Sequence, residues 1–290
     1  MTTRVVLSAL VVGVLSLLPL SITIKAAGDI FTAAYTAANI PDYNFGASSA
    51  LATTASWSRA ALSGGGYGGA DALKLTQIYN NDGQFGGDFG WGNNLDTGAD
   101  PGQGATRFFR FRVKWDTNPD FQCRDQGDGS DIPYCKIKLV IFGTSCTGGH
   151  CRVIVTSESA VPDNDTVKFY LAVDGGDFQV QTGFYASEDW LHIQVEADSA
   201  TTVSSNDGNM KIWVNNDTYA SPTTTSANID LETGDGWDAV RVGAYVNQGL
   251  QADGAQNIII SHFEIATTFD STWAGGVAAP STAIRLRITP

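Results

Sequence analysis

The chain has 290 residues, 32 of them glycine and 16% of them charged, and its formal net charge is −13. A balance this acidic argues against nucleic acid as a partner and against adsorption to acidic surfaces. Long helical periodicity is missing, and short β-rich segments alternate with stretches of Ser, Thr, Asn and Asp. Both features indicate an all-β sandwich with many turns.

The first 27 residues predict a secretory signal peptide. A charged start at residues 1–4 precedes an apolar run at 5–18, and small residues follow near position 27. The apolar run is shorter than a typical membrane-spanning helix, and an uncleaved anchor is the alternative. We therefore expect residues 28–290 to form one domain with an N-terminal coil and a short C-terminal tail. The mature protein is expected to be a secreted monomer without membrane attachment.

The even number of cysteines predicts disulfide bonds in a chain that carries an export signal. The four are Cys123, Cys135, Cys146 and Cys151. Of the three possible pairings, local spacing favours Cys123 with Cys135 and Cys146 with Cys151. The first bond would pin a long loop and stabilise the fold by about 3 kcal/mol. A zinc site is the competing interpretation, but no C-x-x-C motif is present.

Strands are predicted along most of the chain by period-2 alternation of apolar and polar residues. In chain order they cover residues 70–79, 106–115, 136–142, 152–157, 167–173, 178–184, 191–196, 210–214, 239–247 and 257–266. A first edge strand is expected within 28–58, and residues 280–290 are a tail with a possible edge strand. The loops 63–69 and 80–104 are rich in glycine and carry aromatic residues, so they either pack on the body or bind a ligand.

Two of these strands carry the polar residues that matter most. In the strand 106–115, Phe109, Phe111, Val113 and Trp115 alternate with Arg110, Arg112 and Lys114. In the strand 191–196, His192, Gln194 and Glu196 share the polar face. A turn at 206–209 leads to a returning strand in which Lys211, Trp213 and Asn215 alternate with apolar residues.

This succession of strands resembles the concanavalin A-like jelly roll. The residues that carry the resemblance are W-L-H-I-x-V from Trp190, D-G-x-x-x-I-W-V-N from Asp207, and V-R-V-G-A-Y from Val240. The likeness covers roughly residues 57–269. It implies an all-β, two-sheet antiparallel sandwich, the fold shared by laminin-G modules, legume-type lectins, many β-glucanases and several polysaccharide lyases.

Within that fold, the chain also resembles lyases that cleave alginate and glucuronan. Those lyases carry R-x-E-x-R, Q-I-H and Y-F-K-A-G-x-Y-N-Q strands, and this chain has Arg110-Phe-Arg112, His192-Ile-Gln194 and a segment from Arg241 to Gln248 in the same order. The Glu between the arginines is missing, and Gln and His are reversed. In addition, Val246 separates Tyr245 from Asn247, and arginine replaces the usual lysine at position 241.

The resemblance implies a β-elimination chemistry for these residues. Such a reaction needs the uronate carboxylate neutralised, a base for the C5 proton and an acid for the leaving oxygen. Gln194 with Arg110 or Arg112 would neutralise the uronate carboxylate. His192 would be the base for the C5 proton. Tyr245 would be the acid for the leaving oxygen, and Arg241 would lower the pKa of Tyr245. No metal is required. The scheme demands that these side chains converge in one cleft.

The same residues also have plainer interpretations. His192 could belong to a hydrogen-bond network, and the basic residues of 106–115 could pair with carboxylates of neighbouring strands. Trp213 and Tyr245 are either packing partners or stacking platforms for sugar rings. Candidate substrate-binding residues are Arg112, Lys114, Lys211, Trp213, Arg241 and Asn247.

Acidic residues suggest two further sites. The loop 125–131 has several carboxylates and could hold calcium, although it lacks the D-x-[DN]-x-[DN]-G register. A glucanase would need an E-x-D-x-E strand, and the nearest approach, Glu196-Ala-Asp198, has alanine at position 200.

The leading hypothesis is therefore a secreted protein that binds polysaccharide through its polar sheet face and aromatic loops. A uronate-specific polysaccharide lyase is the alternative, and a structural or adhesive surface protein the second alternative.

Overall fold

The computed structural model describes residues 29–32, 56–78, 102–115, 122–124, 131–132, 134–143, 150–160, 166–173, 177–233, 237, 240–245, 249–251 and 255–274. For some strand residues, Arg241 and Tyr245 among them, only the backbone is described. The predicted signal peptide, the loop 80–104 up to residue 101, Asn247 and the tail 280–290 lie outside these ranges. So does most of the loop 125–131, and the calcium hypothesis stays untested.

Eight strands form the larger sheet. The order across it is β14 (Thr224–Ile229), β13 (Gly208–Val214), β12 (Leu191–Asp198), β4 (Thr106–Trp115), β17 (Ala255–Ala266), β3 (Ala72–Ile78) and β2 (Ser56–Leu62), with β1 (Asp29–Thr32) also paired to β17. All of these pairings are antiparallel. Since β4 and β12 lie at the middle, their side chains are flanked by strands on both sides.

Six strands form the second sheet. Its order is β10 (Asp177–Gln181), β9 (Thr166–Val173), β8 (Val153–Ala160), β7 (Tyr134–Phe142) and β15 (Val240–Tyr245), and β11 (Tyr185–Ala186) pairs with β9. A small third sheet contains β16 (Gly249–Gln251), β5 (Gln122–Arg124) and β6 (Asp131–Ile132). The pairings of both sheets are antiparallel as well.

The two large sheets pack face to face through the apolar residues of the alternating pattern. Phe109 and Phe111 on β4 and Ile193 on β12 are fully buried in one cluster with Phe142 and Phe169 of the second sheet. The rings of Phe109 and Phe142 stack across the interface with their centroids 5.2 Å apart. Burial of this apolar surface is the main stabilising contribution to the fold. The predicted all-β, two-sheet antiparallel jelly-roll sandwich is confirmed.

One irregularity in β17 matters for the polar face of the larger sheet. Its register to β4 shifts between Ser261 and Glu264, and His262 has a positive φ of 56°. Ile260 and Phe263 both point into the core, so His262 is the extra residue of a β-bulge. The bulge therefore adds a histidine to the polar side of the sheet.

Helical structure is scarce. Within the described ranges, one 3-10 turn occurs at Tyr67–Gly69. No helix in these ranges is long and apolar enough to cross a membrane.

Candidate functional site

The polar face of the larger sheet brings together most of the residues singled out in the sequence. Across β4 and β12, Arg112 lies opposite His192 and Arg110 lies opposite Gln194. On the other side of β12, Trp213 lies opposite Gln194 and Lys211 opposite Glu196. The same register sets Ser261 and Glu264 of β17 beside the two arginines. One face thus carries a band of basic, acidic, amide and imidazole side chains.

A covering segment, residues 267–274, lies over the middle of this face. Gln194 Nε2 donates to the Asp270 carbonyl at 2.8 Å, and the Asp270 N–H donates to Gln194 Oε1 at 3.1 Å. Arg110 donates to Glu264 at 2.8 Å and to the Thr268 carbonyl at 3.4 Å. The backbone N–H of Ala274 donates to the Asp217 carboxylate. The sheet face and the segment are therefore held together by polar contacts along the length of the segment.

The covering segment changes the roles of two predicted site residues. Gln194 and Arg110 were expected to neutralise a uronate carboxylate, yet only 1% and 2% of their surfaces are exposed. Their donors serve backbone carbonyls of the segment and the Glu264 carboxylate instead. Glu196, expected on a solvated face, is also buried. The centre of the face is a packed interior, because the segment takes the space where a groove was predicted.

Arg112 is the hub of the site at one end of the covering segment. Its guanidinium carbon lies 3.8 Å from the Trp273 ring centroid and 4.6 Å from that of Tyr67, so the group is held between two aromatic faces. Nε donates to His192 Nδ1, and Nη2 donates to the Trp273 carbonyl, both at 2.9 Å. Burial lowers the pKa of Arg112 to about 10. It is therefore still a cation at neutral pH, stabilised by π faces and by directed hydrogen bonds.

His192 is held as a neutral imidazole. Since Nδ1 accepts a hydrogen bond from Arg112, the ring proton belongs on Nε2. The Trp273 carbonyl lies 3.1 Å from the same Nδ1 and is served by the second Arg112 donor. Burial, and then the charge of Arg112, lower the pKa of His192, while the Trp273 carbonyl and Asp217 partly offset this. The outcome is an imidazole whose Nε2 is an N–H donor at neutral pH.

Tyr67 reaches the face from the glycine-rich loop after β2. Its ring meets the His192 ring edge-on, with the centroids 4.6 Å apart and the planes at 87°. The loop can approach this closely because position 66 is glycine: a Cβ there would lie 2.7 Å from both the Ala70 carbonyl and Ser261 Oγ. Tyr67 was not among the predicted site residues, and the signal that could have found it is the lone tyrosine in the run S-G-G-G-Y-G-G.

His262 completes the cluster from the bulge in β17. Its Nδ1 lies 2.7 Å from Ser261 Oγ, and its ring is 6.3 Å from Tyr67 and 6.4 Å from Trp273. Burial lowers the pKa of His262 to about 4, with smaller contributions from the charge of Arg112 and, once it is protonated, that of His192. Alternation alone does not reveal His262 as a site residue, because it depends on one extra residue in the strand.

The accessible edge of this cluster is a basic-aromatic rim formed by Tyr67, Lys114 and Trp190. All three are half-buried. The ammonium of Lys114 lies 5.3 Å from the Trp190 ring centroid, and the rings of Tyr67 and Trp190 meet edge-on at 6.1 Å. The rim thus presents two aromatic rings and a cation beside the imidazole of His192.

A second group of residues, the Tyr219 patch, lies at the other end of the covering segment. Tyr219 stacks on Trp213, with centroids 5.6 Å apart and planes at 20°, and the ammonium of Lys211 lies 5.2 Å from the Tyr219 ring. Lys211 also donates to Glu196, which is 2% exposed. Trp213 itself is fully buried, so of its two predicted roles it has that of a packing partner, and the exposed ring is Tyr219.

Tyr245 does not lie on this face. Its strand, β15, pairs with β7 in the six-stranded sheet, whereas His192, Gln194 and the two arginines are on the eight-stranded sheet. The predicted convergence of Tyr245 and Arg241 with His192 is therefore wrong. The residues of β15 follow the lyase motif in order along the chain, but sheet pairing sends that strand to the other layer. The tyrosine that lies beside His192 is Tyr67.

The remaining predicted sites can be placed only in part. Among the residues whose side chains are described, no group of three or more His, Cys, Asp or Glu could hold a metal ion. Cys151 is fully buried. The side chains of Cys123, Cys135 and Cys146 lie outside the described part, so the disulfide pairing stays a prediction.

Comparison with solved structures finds several proteins to which this chain is similar at low sequence identity. It is similar to an endo-β-1,4-glucuronan lyase from the fungus Trichoderma reesei, at 15% identity and a TM-score of 0.47, over 74% of this chain and 90% of that one. A botulinum neurotoxin serotype D/C binding domain is 10% identical with a TM-score of 0.42, over 85% of this chain and 50% of the other.

The catalytic domain of a glycoside hydrolase family 131 protein from Coprinopsis cinerea is also similar, at 15% identity and a TM-score of 0.33, over 69% and 73% of the two chains. At such identities the likeness concerns the fold alone. Neither a protein-family model nor a curated protein matches the sequence.

Proposed function

We propose that this protein binds a polysaccharide at the basic-aromatic rim. The observation that carries the proposal is the grouping of Lys114, Trp190 and Tyr67 around the Arg112–His192 pair at an accessible edge of the polar face. An aromatic ring offers its apolar face to the C–H face of a sugar, and nearby polar groups set the orientation. The rim supplies both kinds of group on adjacent strands and one loop.

The charge of the rim favours a polysaccharide with carboxylates. The whole chain carries a net charge of −13, so an anionic ligand is repelled from most of its surface. At the rim, however, Lys114 is half-buried beside Trp190, and the Arg112 cation lies behind Tyr67. A carboxylate-bearing sugar would be attracted to this place, and more strongly at low ionic strength.

The experiment is affinity gel electrophoresis of the purified protein in gels that contain alginate, glucuronan, a glycosaminoglycan or a neutral glucan. Trp190→Ala should weaken binding by about fivefold, because one stacked aromatic ring contributes about 1 kcal/mol. Phe184→Ala is the matched control, since Phe184 is 53% exposed beside Lys168 but lies after β10 on the other sheet. Equal retardation of wild type and Trp190→Ala would overturn the proposal.

A second candidate function, uronate lyase activity, is favoured by one observation only. The phenol of Tyr67 lies against the His192 ring. In this version Tyr67 takes the acid role first assigned to Tyr245 and also the base role first assigned to His192, because the unprotonated nitrogen of His192 already accepts from Arg112. Incubation with the same acidic polysaccharides, followed by ultraviolet absorbance of unsaturated uronate ends, tests it. A signal that disappears in Tyr67→Phe and persists in Trp213→Phe would establish the lyase. No signal would leave a binding protein.

A further inference from the structure

Tyr219 is the large aromatic residue that the polar face of the larger sheet leaves open to solvent. Its side chain is 48% exposed. One face of the ring lies on Trp213, and the rings of Phe269 and Phe108 lie at 5.4 and 6.3 Å. An exposed tyrosine supported by three other rings keeps one apolar surface available and loses little conformational freedom on binding.

The loop that carries Tyr219 is held in place by its own hydrogen bonds. Asn216 Oδ1 accepts from the Thr218 N–H at 2.9 Å, and Asn216 Nδ2 donates to the Ser221 carbonyl at 2.6 Å. Trp213 Nε1 donates to the Thr218 carbonyl at 3.1 Å. The position of the ring is therefore determined before any ligand arrives.

A polar group accompanies the ring. The Lys211 side chain is 26% exposed, and its ammonium lies 5.2 Å from the Tyr219 ring centroid. Its bond to the buried Glu196 carboxylate fixes the direction of the ammonium. Sugar recognition needs this combination of an aromatic face with an oriented hydrogen-bond donor.

The Tyr219 patch and the basic-aromatic rim lie on the same face with the covering segment between them. Lys211 pairs with Glu196 on β12, and Trp190 of the rim lies six residues earlier in the chain. At the rise of an extended strand this spacing is about 20 Å. Asp270 lies between the two positions over Gln194, and the next two residues, Ser271 and Thr272, are exposed.

We infer that the Tyr219 patch is a second polysaccharide contact, and that the protein recognises an extended chain lying across residues 267–274. The inference rests on the proposed polysaccharide binding at the rim and adds the length of the ligand. A ligand that touches both contacts must span the covering segment. Affinity should therefore rise with the length of the polysaccharide until it reaches both the rim and the Tyr219 patch. A monosaccharide or a chain end should bind weakly.

The test measures binding of alginate and glucuronan, each intact and as size-fractionated oligosaccharides, to wild type and to Tyr219→Ala. In the variant, intact chains should bind about fivefold to tenfold more weakly, which is the contribution of one stacked ring, and the shortest fragments that wild type binds should be unaffected. Trp190→Ala should weaken short and long ligands alike. Phe184→Ala is again the control for loss of an exposed ring.

A measurement on the unaltered protein covers the case in which Tyr219→Ala unfolds. Hydroxyl-radical footprinting with and without intact polysaccharide should show protection of Tyr219 together with Trp190, and none of Phe184. Protection of Trp190 without protection of Tyr219 would overturn the second contact. So would binding of long chains by Tyr219→Ala that equals wild type. In both cases polysaccharide binding at the rim would stand. If wild type binds neither polysaccharide, the rim proposal fails and the inference fails with it.

Discussion

Gln194 on β12 and Asp270 in the covering segment exchange two hydrogen bonds. The side-chain amide donates to the Asp270 carbonyl at 2.8 Å and accepts from the Asp270 N–H at 3.1 Å. An amide side chain thereby satisfies both backbone groups of one residue, in the way a neighbouring strand would. This pair fastens residues 267–274 to the middle of the sheet face, which is a closed interior there.

Replacing Gln194 with alanine should lower the free energy of unfolding by about 2–4 kcal/mol. Two hydrogen bonds are lost, and the Asp270 backbone groups are left without partners in a part-buried place. Equilibrium unfolding in urea measures the change. Gln181→Ala is the control, because Gln181 is exposed on β10 and accepts one long bond from Lys168. Equal midpoints for the two variants would show that the Gln194–Asp270 pair contributes little.

Gly66→Ala should destabilise the fold by about 1–3 kcal/mol and weaken polysaccharide binding as well. The added Cβ would lie 2.7 Å from the Ala70 carbonyl and from Ser261 Oγ, so the loop must move away from β17 and take Tyr67 with it. Thermal unfolding and gel retardation give the two readouts. Gly102→Ala is the matched control, since nothing lies within 4 Å of a Cβ there. A variant that loses stability and binds normally would remove Tyr67 from the proposed site.

His262 should make the protein less stable in acid. Its folded pKa is about 4, below the ordinary value of 6.5, because of burial and the charges of Arg112 and His192. As pH falls below 6.5, the unfolded chain takes up a proton that the folded protein does not, so stability declines until the pH reaches about 4. The loss from this group is about 2–3 kcal/mol. His192, whose pKa is also lowered, acts in the same direction.

The measurement is the free energy of unfolding between pH 7 and 4 for wild type and His262→Asn. Asparagine is the suitable replacement, because position 262 has a positive φ of 56° and asparagine tolerates that conformation. The carboxylates are the same in both proteins, so the difference isolates the histidine. The variant should have the flatter profile. Parallel profiles would contradict the expected titration.

Lys211→Met should lower the free energy of unfolding by roughly 2–4 kcal/mol, because it leaves the buried Glu196 carboxylate without its cation. Adding Glu196→Gln to that variant should recover more than half of the loss, since a neutral amide is easier to bury. Urea unfolding of both single variants and the double variant completes the cycle. No recovery in the double variant would mean that the loss comes from packing of the Lys211 stem on Tyr219.

Period-2 alternation predicted most of the long strands and the two faces of each, although β2 and β14 were not among them. Phe109 and Ile193 were assigned to the core, and Arg110, Arg112, His192 and Gln194 to one polar face, and the structure agrees. This succeeds because side chains alternate across a strand whatever the tertiary context, and burial of the apolar set then selects the core side. The jelly-roll class came instead from the resemblance to concanavalin A-like proteins, since alternation by itself indicates only an all-β sandwich.

Tertiary structure alone decided which sheet each strand joins and what lies on its polar face. β15 resembled a lyase strand in sequence but pairs with β7, so Tyr245 is in the other sheet from His192. Residues 267–274 and Tyr67 come from distant parts of the chain and bury the face that alternation assigns to water. The polarity of a face predicts only that its side chains need hydrogen-bond partners. Here the covering segment supplies many of these partners, because its carbonyls accept from Gln194, Arg110 and Arg112. The same packing buries Trp273 of the segment.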